Sequence, residues 1–144
     1  MKKTILGITG IRSEYDIMSS IFYEIVSRKN LELKLVVTGA HLSSKFGMTI
    51  KEIEKDGFQI VKKIKSYQSN DTLASRVTGM GVQLQKISET ISEISPDFII
   101  VLGDREEALT AAILSSYMNI PLIHIGGGDR AVGNVDDQVR HAVT

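Results

Sequence analysis

The feature that most constrains this chain is an alternation. Short apolar runs closed by Gly, Pro or Asp are each followed by a stretch with apolar residues at helical spacing. Such runs are too short for helices and too apolar for strands wetted on one face, so they read as buried strands joined by helical crossovers. Residues 4–9 are the first, broken by Gly10, and residues 13–28 then carry Ile17, Ile21, Phe22 and Ile25 on a helical stripe. Leu31–Thr38 is the second strand, followed by a loop over 39–47 and a short helix over 49–55 that Asp56-Gly57 closes. Residues 58–64 mix polar and apolar side chains and suit an edge strand. The longest helical pattern, 71–95, contains Gly79 and Gly81 as points where it would kink, and Pro96 ends it. Phe98–Leu102 is a central strand, 106–117 an Ala-rich helix, and Leu122–Ile125 the fifth strand. A turn, Gly126-Gly127-Gly128, follows, and 136–144 opens another helix. Repeated β-α units of this kind predict an α/β fold built on a doubly wound parallel sheet.

The 144 residues suit a single domain, 1–144. At 42% hydrophobic content the chain can bury a core without staples. Lys and Arg together number 17 and so do Asp and Glu, so net charge gives no footprint for nucleic acid or an acidic membrane. There is no cysteine, which removes disulfides, thiolate nucleophiles and Cys-based zinc sites, and fits a cytoplasmic setting. The apolar run after Met1-Lys2-Lys3 is too short for a signal peptide and meets Arg12 and Glu14 at once. No run approaches the length of a membrane span.

In an open parallel sheet, ligands bind beyond the carboxyl ends of the strands. That rule selects Gly10 to Glu14, Thr38 to His41, Ser66-Tyr67, Gly103 to Glu106 and His124 to Asp129. Gly10 lets the backbone approach a phosphate, and Arg12 offers a guanidinium fork; the plain alternative is an ordinary turn with a surface Arg. Asp104 stands where general acid or base work is often placed, with Arg105 beside it for a phosphate, or else it caps the helix that follows. His124 is a strand-end histidine that either meets a ligand or is held in the core, and Asp129 is either an acid or a turn residue. Asp136 and Asp137, one turn before Arg140 and His141, serve acid–base chemistry or form a cap with i,i+4 pairs. His41 belongs to the loop after the second strand, as a contact or as a surface residue.

Together these motifs resemble the hydrolysing UDP-N-acetylglucosamine 2-epimerases. Gly10-Ile11-Arg12-Ser13-Glu14-Tyr15 is similar to the family's G-x-R-x-[DE]-Y opening. Thr38-Gly39-Ala40-His41-Leu42, with Phe46-Gly47-Met48-Thr49 and Asp56-Gly57-Phe58, resembles its second block, and Gly103-Asp104-Arg105 its GDR motif. His124 to Asp129 resembles its H-[IV]-x-G-G-[ED] turn, and Gly133 to Thr144 its G-x-[IV]-D-[DE]-x-x-R-H-A-[IV]-T block. The resemblance runs the length of the chain in order. It implies the Rossmann-like amino-terminal half of a two-domain GT-B enzyme. The carboxy-terminal nucleotide-binding domain would be absent from this stretch, which is then expected to be inactive alone.

The implied reaction eliminates UDP from the sugar through a glycal-like intermediate and adds water, giving N-acetylmannosamine and UDP. No metal and no cofactor are implied. The resemblance makes Asp104, Asp136 and Asp129 the catalytic acids and gives Gly10, Arg12, His41, Arg105, His124, Gly127 and Arg140 to substrate binding. A homodimer is implied, in amino-sugar and sialic-acid metabolism. One departure stands out. Many relatives carry a catalytic Glu between the H-[IV] and G-G pairs, where this chain has Gly126. Related enzymes of legionaminic-type pathways act on 4-amino UDP sugars, so such a substrate stays open. A GT-B glycosyltransferase domain and a non-catalytic sugar-nucleotide binding module are the alternatives.

Overall fold

Five strands pair in parallel in the order β3-β2-β1-β4-β5 in a computed structural model that describes residues 1–66, 72–128 and 135–144, with the side chains of 135–137 left aside. They are β1 (Lys3–Thr9), β2 (Leu31–Thr38), β3 (Ile60–Ile64), β4 (Phe98–Leu102) and β5 (Leu122–Ile125). The helices are α1 (Arg12–Ser27), α2 (Ile50–Asp56), α3 (Leu73–Ile94), α4 (Glu106–Met118) and α5 (Val135–Val143). The loop after β2 contains two 3-10 turns, Gly39–Leu42 and Ser44–Phe46. The doubly wound sheet expected from the alternation is the observed fold. The expected starts at Asp71 and the turn residues Tyr67, Asp129, Gly133 and Asn134 lie outside the described residues.

Both sheet faces are covered, and strand alternation divides the core in two. Ile5, Leu33, Leu35, Val37 and Ile100 meet Tyr15, Met18, Phe22 and Ile25 of α1 and Ile50 and Ile53 of α2 on one face. Leu6, Ile8, Val36, Ile99 and Val101 meet Ile87 and Ile91 of α3, Ala108, Ala111 and Leu114 of α4 and Val143 of α5 on the other. Fully burying one such side chain contributes roughly 1.5–3 kcal/mol, so two faces of this size hold the sheet without covalent links. As expected of an edge, β3 exposes Lys62 and Lys63, charges that discourage further strand pairing. Tyr15 donates to the Asp56 carboxylate and so ties the short α2 to α1. Burial and that bond hold the phenol above its ordinary pKa. Among the described residues, no helix is long and apolar enough to cross a membrane.

One sequence expectation is corrected here. Residues 73–94 form one unbroken helix through both Gly79 and Gly81. Gly79 has a packing role: a Cβ there would lie 2.4 Å from the Ser66 carbonyl oxygen, so its absence lets α3 press against the chain leaving β3. Thr72 and Ser75 start the helix with a reciprocal capping box.

Candidate functional site

The strand order reverses direction between β1 and β4: the chain moves outward from β1 to β3, then crosses back to β4. Two neighbouring strands whose connections leave in opposite directions open a crevice at their carboxyl ends. Into it run the start of α1, after β1, and the Gly103-Asp104-Arg105 turn into α4, after β4. A cavity of about 370 Å³ lies here, lined by Glu14, Asp104, Arg105, Gly126 and Arg140 among others.

Two charged arrangements share this rim. Asp104 pairs with Arg140 of α5, and both side chains are mostly buried. Asp104 therefore bridges two elements and does not cap α4, whose N-cap position is Arg105 and carries no side-chain cap. Arg105 lies against Glu14 at 3.8 Å, Glu107 at 3.6 Å and Glu106 at 3.7 Å, while 41% of its side chain stays exposed to the rim. Glu14 and Glu107 are buried acids at this rim to which motif reading gave no role. Their signal was in the sequence. Glu14 occupies the buried stripe of α1 with Met18, Phe22 and Ile25, and Glu107 that of α4 with Ala111 and Leu114. A carboxylate in a stripe otherwise filled by apolar residues is a group held inside for a reason. Burial, then the neighbouring Glu107, pushes the Glu14 carboxyl up to about 9. Burial likewise raises Glu107.

Several residues expected to contact substrate make contacts within the fold. Gly10 is buried, and the space its side chain would fill is occupied by Glu107: a Cβ there would lie 2.1 Å from the Glu107 carboxyl carbon. Its N–H points at Glu14 Oε2, 3.5 Å away. The glycine thus makes room for an acid. His41 is fully buried, and its ring bonds Thr9 Oγ1 at 2.9 Å and Thr49 Oγ1 at 2.8 Å. Burial lowers it to about 4, so it is a neutral strut that pins the loop after β2. His124 donates from Nε2 to the Gly103 carbonyl at 2.6 Å and meets Thr144 Oγ1 at 2.7 Å, fixing the Gly103 turn. Gly127 packs on that ring, where a Cβ would lie 2.6 Å from Nδ1.

Arg12 starts α1 on the same rim but is exposed, pairs with Asp16 at 3.6 Å, and is not among the cavity's lining residues. Asp129 lies outside the described residues. The backbone of Asp136 is in the first turn of α5, and its side chain is not described. Gly126 has φ +77°, a left-handed conformation in which a glutamate would be strained. The local backbone thus suits a glycine here.

The sequence model of a family described as UDP-N-acetylglucosamine 2-epimerase matches residues 23–144. A GDP/UDP-N,N'-diacetylbacillosamine 2-epimerase (hydrolyzing) of Campylobacter jejuni is 38% identical over 143 residues, 99% of this chain and 37% of that protein. A UDP-N,N'-diacetylbacillosamine 2-epimerase (hydrolyzing) of Legionella pneumophila is 35% identical over 100% of this chain and 38% of its own length. The chain therefore spans little more than a third of the curated relatives it matches. Among solved structures, the UDP-GlcNAc 2-epimerase of Neisseria meningitidis bound to UDP-GlcNAc superposes with a TM-score of 0.82 at 18% identity, covering 97% of this chain and 37% of that one.

Proposed function

The chain belongs to the UDP-N-acetylglucosamine 2-epimerase family, and from that premise we propose that it forms the acid-bearing amino-terminal part of a hydrolysing UDP-sugar 2-epimerase. The observation that carries this is the cavity at the crevice between β1 and β4, with a carboxylate, Asp104, and a half-exposed guanidinium, Arg105, on adjacent residues of its wall. Loss of UDP from a 2-acetamido sugar requires a base for the proton on C2 and a cation for the departing diphosphate. The C2–H electron pair forms the double bond as the C1–O bond breaks, and the pair of that bond leaves on the diphosphate. Water then adds across the double bond and the free sugar departs. Asp104, held in place by Arg140, is positioned for the proton, and Arg105 for the diphosphate. Asp129 and Asp136 stay in the proposal as acids for the water step, and Arg12 as a second cation at the entrance.

The sugar itself has two readings. UDP-N-acetylglucosamine, giving N-acetylmannosamine, follows from the family. A donor with a second acetamido group at C4 is favoured by the names of the Campylobacter and Legionella relatives. In this reading the uridine is held by a further domain, because the relatives extend well past the matched stretch. A polysialic acid biosynthesis protein of Escherichia coli, 37% identical, supports a place in amino-sugar supply. The cytoplasmic homodimer is carried over from the resemblance alone.

The test gives the full-length gene product both donors in parallel and follows UDP and sugar by NMR. Free 2-epimerised sugar from either donor supports the reading and chooses the substrate, and no UDP release from both overturns it. Asp104→Asn should cost about 10²–10⁴-fold in kcat, the usual contribution of a positioned acid or base, and unchanged kinetics would leave Asp104 a mere tie to α5.

A further inference from the structure

Resting on the diphosphate reading of Arg105, we propose that Glu14 and Glu107 act as one proton-holding unit that keeps the Arg105 charge available, so that diphosphate binds best when the unit is protonated. Two carboxyl groups, each more than nine-tenths buried, flank one guanidinium within 4 Å. Among the described residues, Arg105 is the cation within ion-pair distance of either. Glu14 Oε1 and Glu107 Oε2 are buried without a hydrogen bond there. One positive charge cannot compensate two buried negative ones, and an uncompensated buried charge is expensive, so one carboxyl keeps its proton.

The surroundings leave few other sources of compensation. On the same turn Asp104 adds negative charge, but Arg140 of α5 is paired with it. On α4, Glu106 is held by Arg76 of α3 as well as by Arg105. Gln83 of α3, which bonds Ser66 and Thr110 beside them, carries no charge. His41, whose backbone N–H meets the Gly10 carbonyl, is neutral. Arg12 and Asp16 pair with each other on the exposed face of α1. An incoming diphosphate is repelled by each ionised member of the Glu14–Glu107 unit and attracted by Arg105. Neutralising the unit therefore removes the repulsion while the attraction stays. By linkage, a ligand that favours the protonated form raises that form's population and takes up protons as it binds.

The experiment is calorimetric titration of the full-length gene product with UDP from pH 7 to pH 10, in buffers of differing ionisation enthalpy. Wild-type affinity should fall by up to about tenfold per pH unit above the point where the unit ionises, with buffer-dependent heats reporting proton uptake. Glu14→Gln, isosteric and permanently neutral, should bind with a flat pH response over the same range. A flat wild-type response with no proton uptake overturns the proton-holding unit and leaves the diphosphate reading standing. Absence of UDP binding at every pH overturns both. Carbon-13 titration of the glutamate carboxyls in the free protein reads the same unit without ligand or mutation. One of the two should ionise far above the ordinary range, and ordinary acidic titration of both would overturn the proposal.

Discussion

At the scale of single residues, the site is built by groups that exclude one another's side chains. Gly10 and Glu107 come from different strands' ends, and each is intelligible only through the other: the glycine leaves the volume that the carboxyl fills. Gly10→Ala should therefore be costly even though Gly10 is not among the positive-φ glycines. The added methyl has to displace a buried carboxyl, an overpacking cost of about 1–3 kcal/mol, measurable by denaturant unfolding. The displaced Glu107 should also loosen Arg105, so UDP affinity should fall with stability. Wild-type stability in Gly10→Ala would show that the contact relaxes at no cost. His41 teaches the same point from the other side. A histidine in a glycine-rich loop looks like a ligand contact, yet two threonine hydroxyls from separate elements enclose it.

At the scale of elements, α3 separates two uses of glycine that the sequence presents identically. Gly79 faces the Ser66 carbonyl at a distance that no methyl group can share, whereas Gly81 is exposed with nothing in the way. Intrinsic helix propensity favours alanine over glycine by about 1 kcal/mol in both places. Gly81→Ala should realise most of that gain as a higher melting temperature, while Gly79→Ala should lower it. Equal shifts in the two variants would contradict the packing against Ser66. Helix ends lie within two residues of those expected from the sequence. Boundaries moved by a residue or two where termination depends on the fold, as at β3, which starts at Ile60 instead of 58.

At the scale of the whole molecule, the buried titratable groups shape stability against pH. Glu14, raised to about 9 chiefly by burial and then by Glu107, keeps a proton that the unfolded chain releases above 4.5. Its contribution is full below 4.5 and is lost as pH rises toward 9. His41, lowered to about 4 by burial, refuses a proton that the unfolded chain takes up below 6.5, so its contribution is lost as pH falls from 6.5 toward 4. Melting temperature should therefore decline from pH 6.5 to 9, and Glu14→Gln should flatten that limb. An alkaline limb equally steep in the variant would assign it to other groups.

Much of this architecture follows from the sequence alone. The period-two and period-3.6 apolar patterns, with Gly and Pro between them, determined five strands, their helical crossovers and the parallel sheet, because local burial patterns need no knowledge of distant partners. They also marked β3 as an edge and brought Asp104, Arg105 and Arg140 forward by their place at strand and helix ends. Only the tertiary structure decided who meets whom: Arg140 with Asp104, Arg105 with Glu14 and Glu107, His41 with two threonines. The Arg140–Asp104, Arg105–Glu14 and His41–Thr9 pairings join residues far apart in the chain. A carboxyl's charge and a glycine's purpose are set by what the fold packs against them, which no local pattern records.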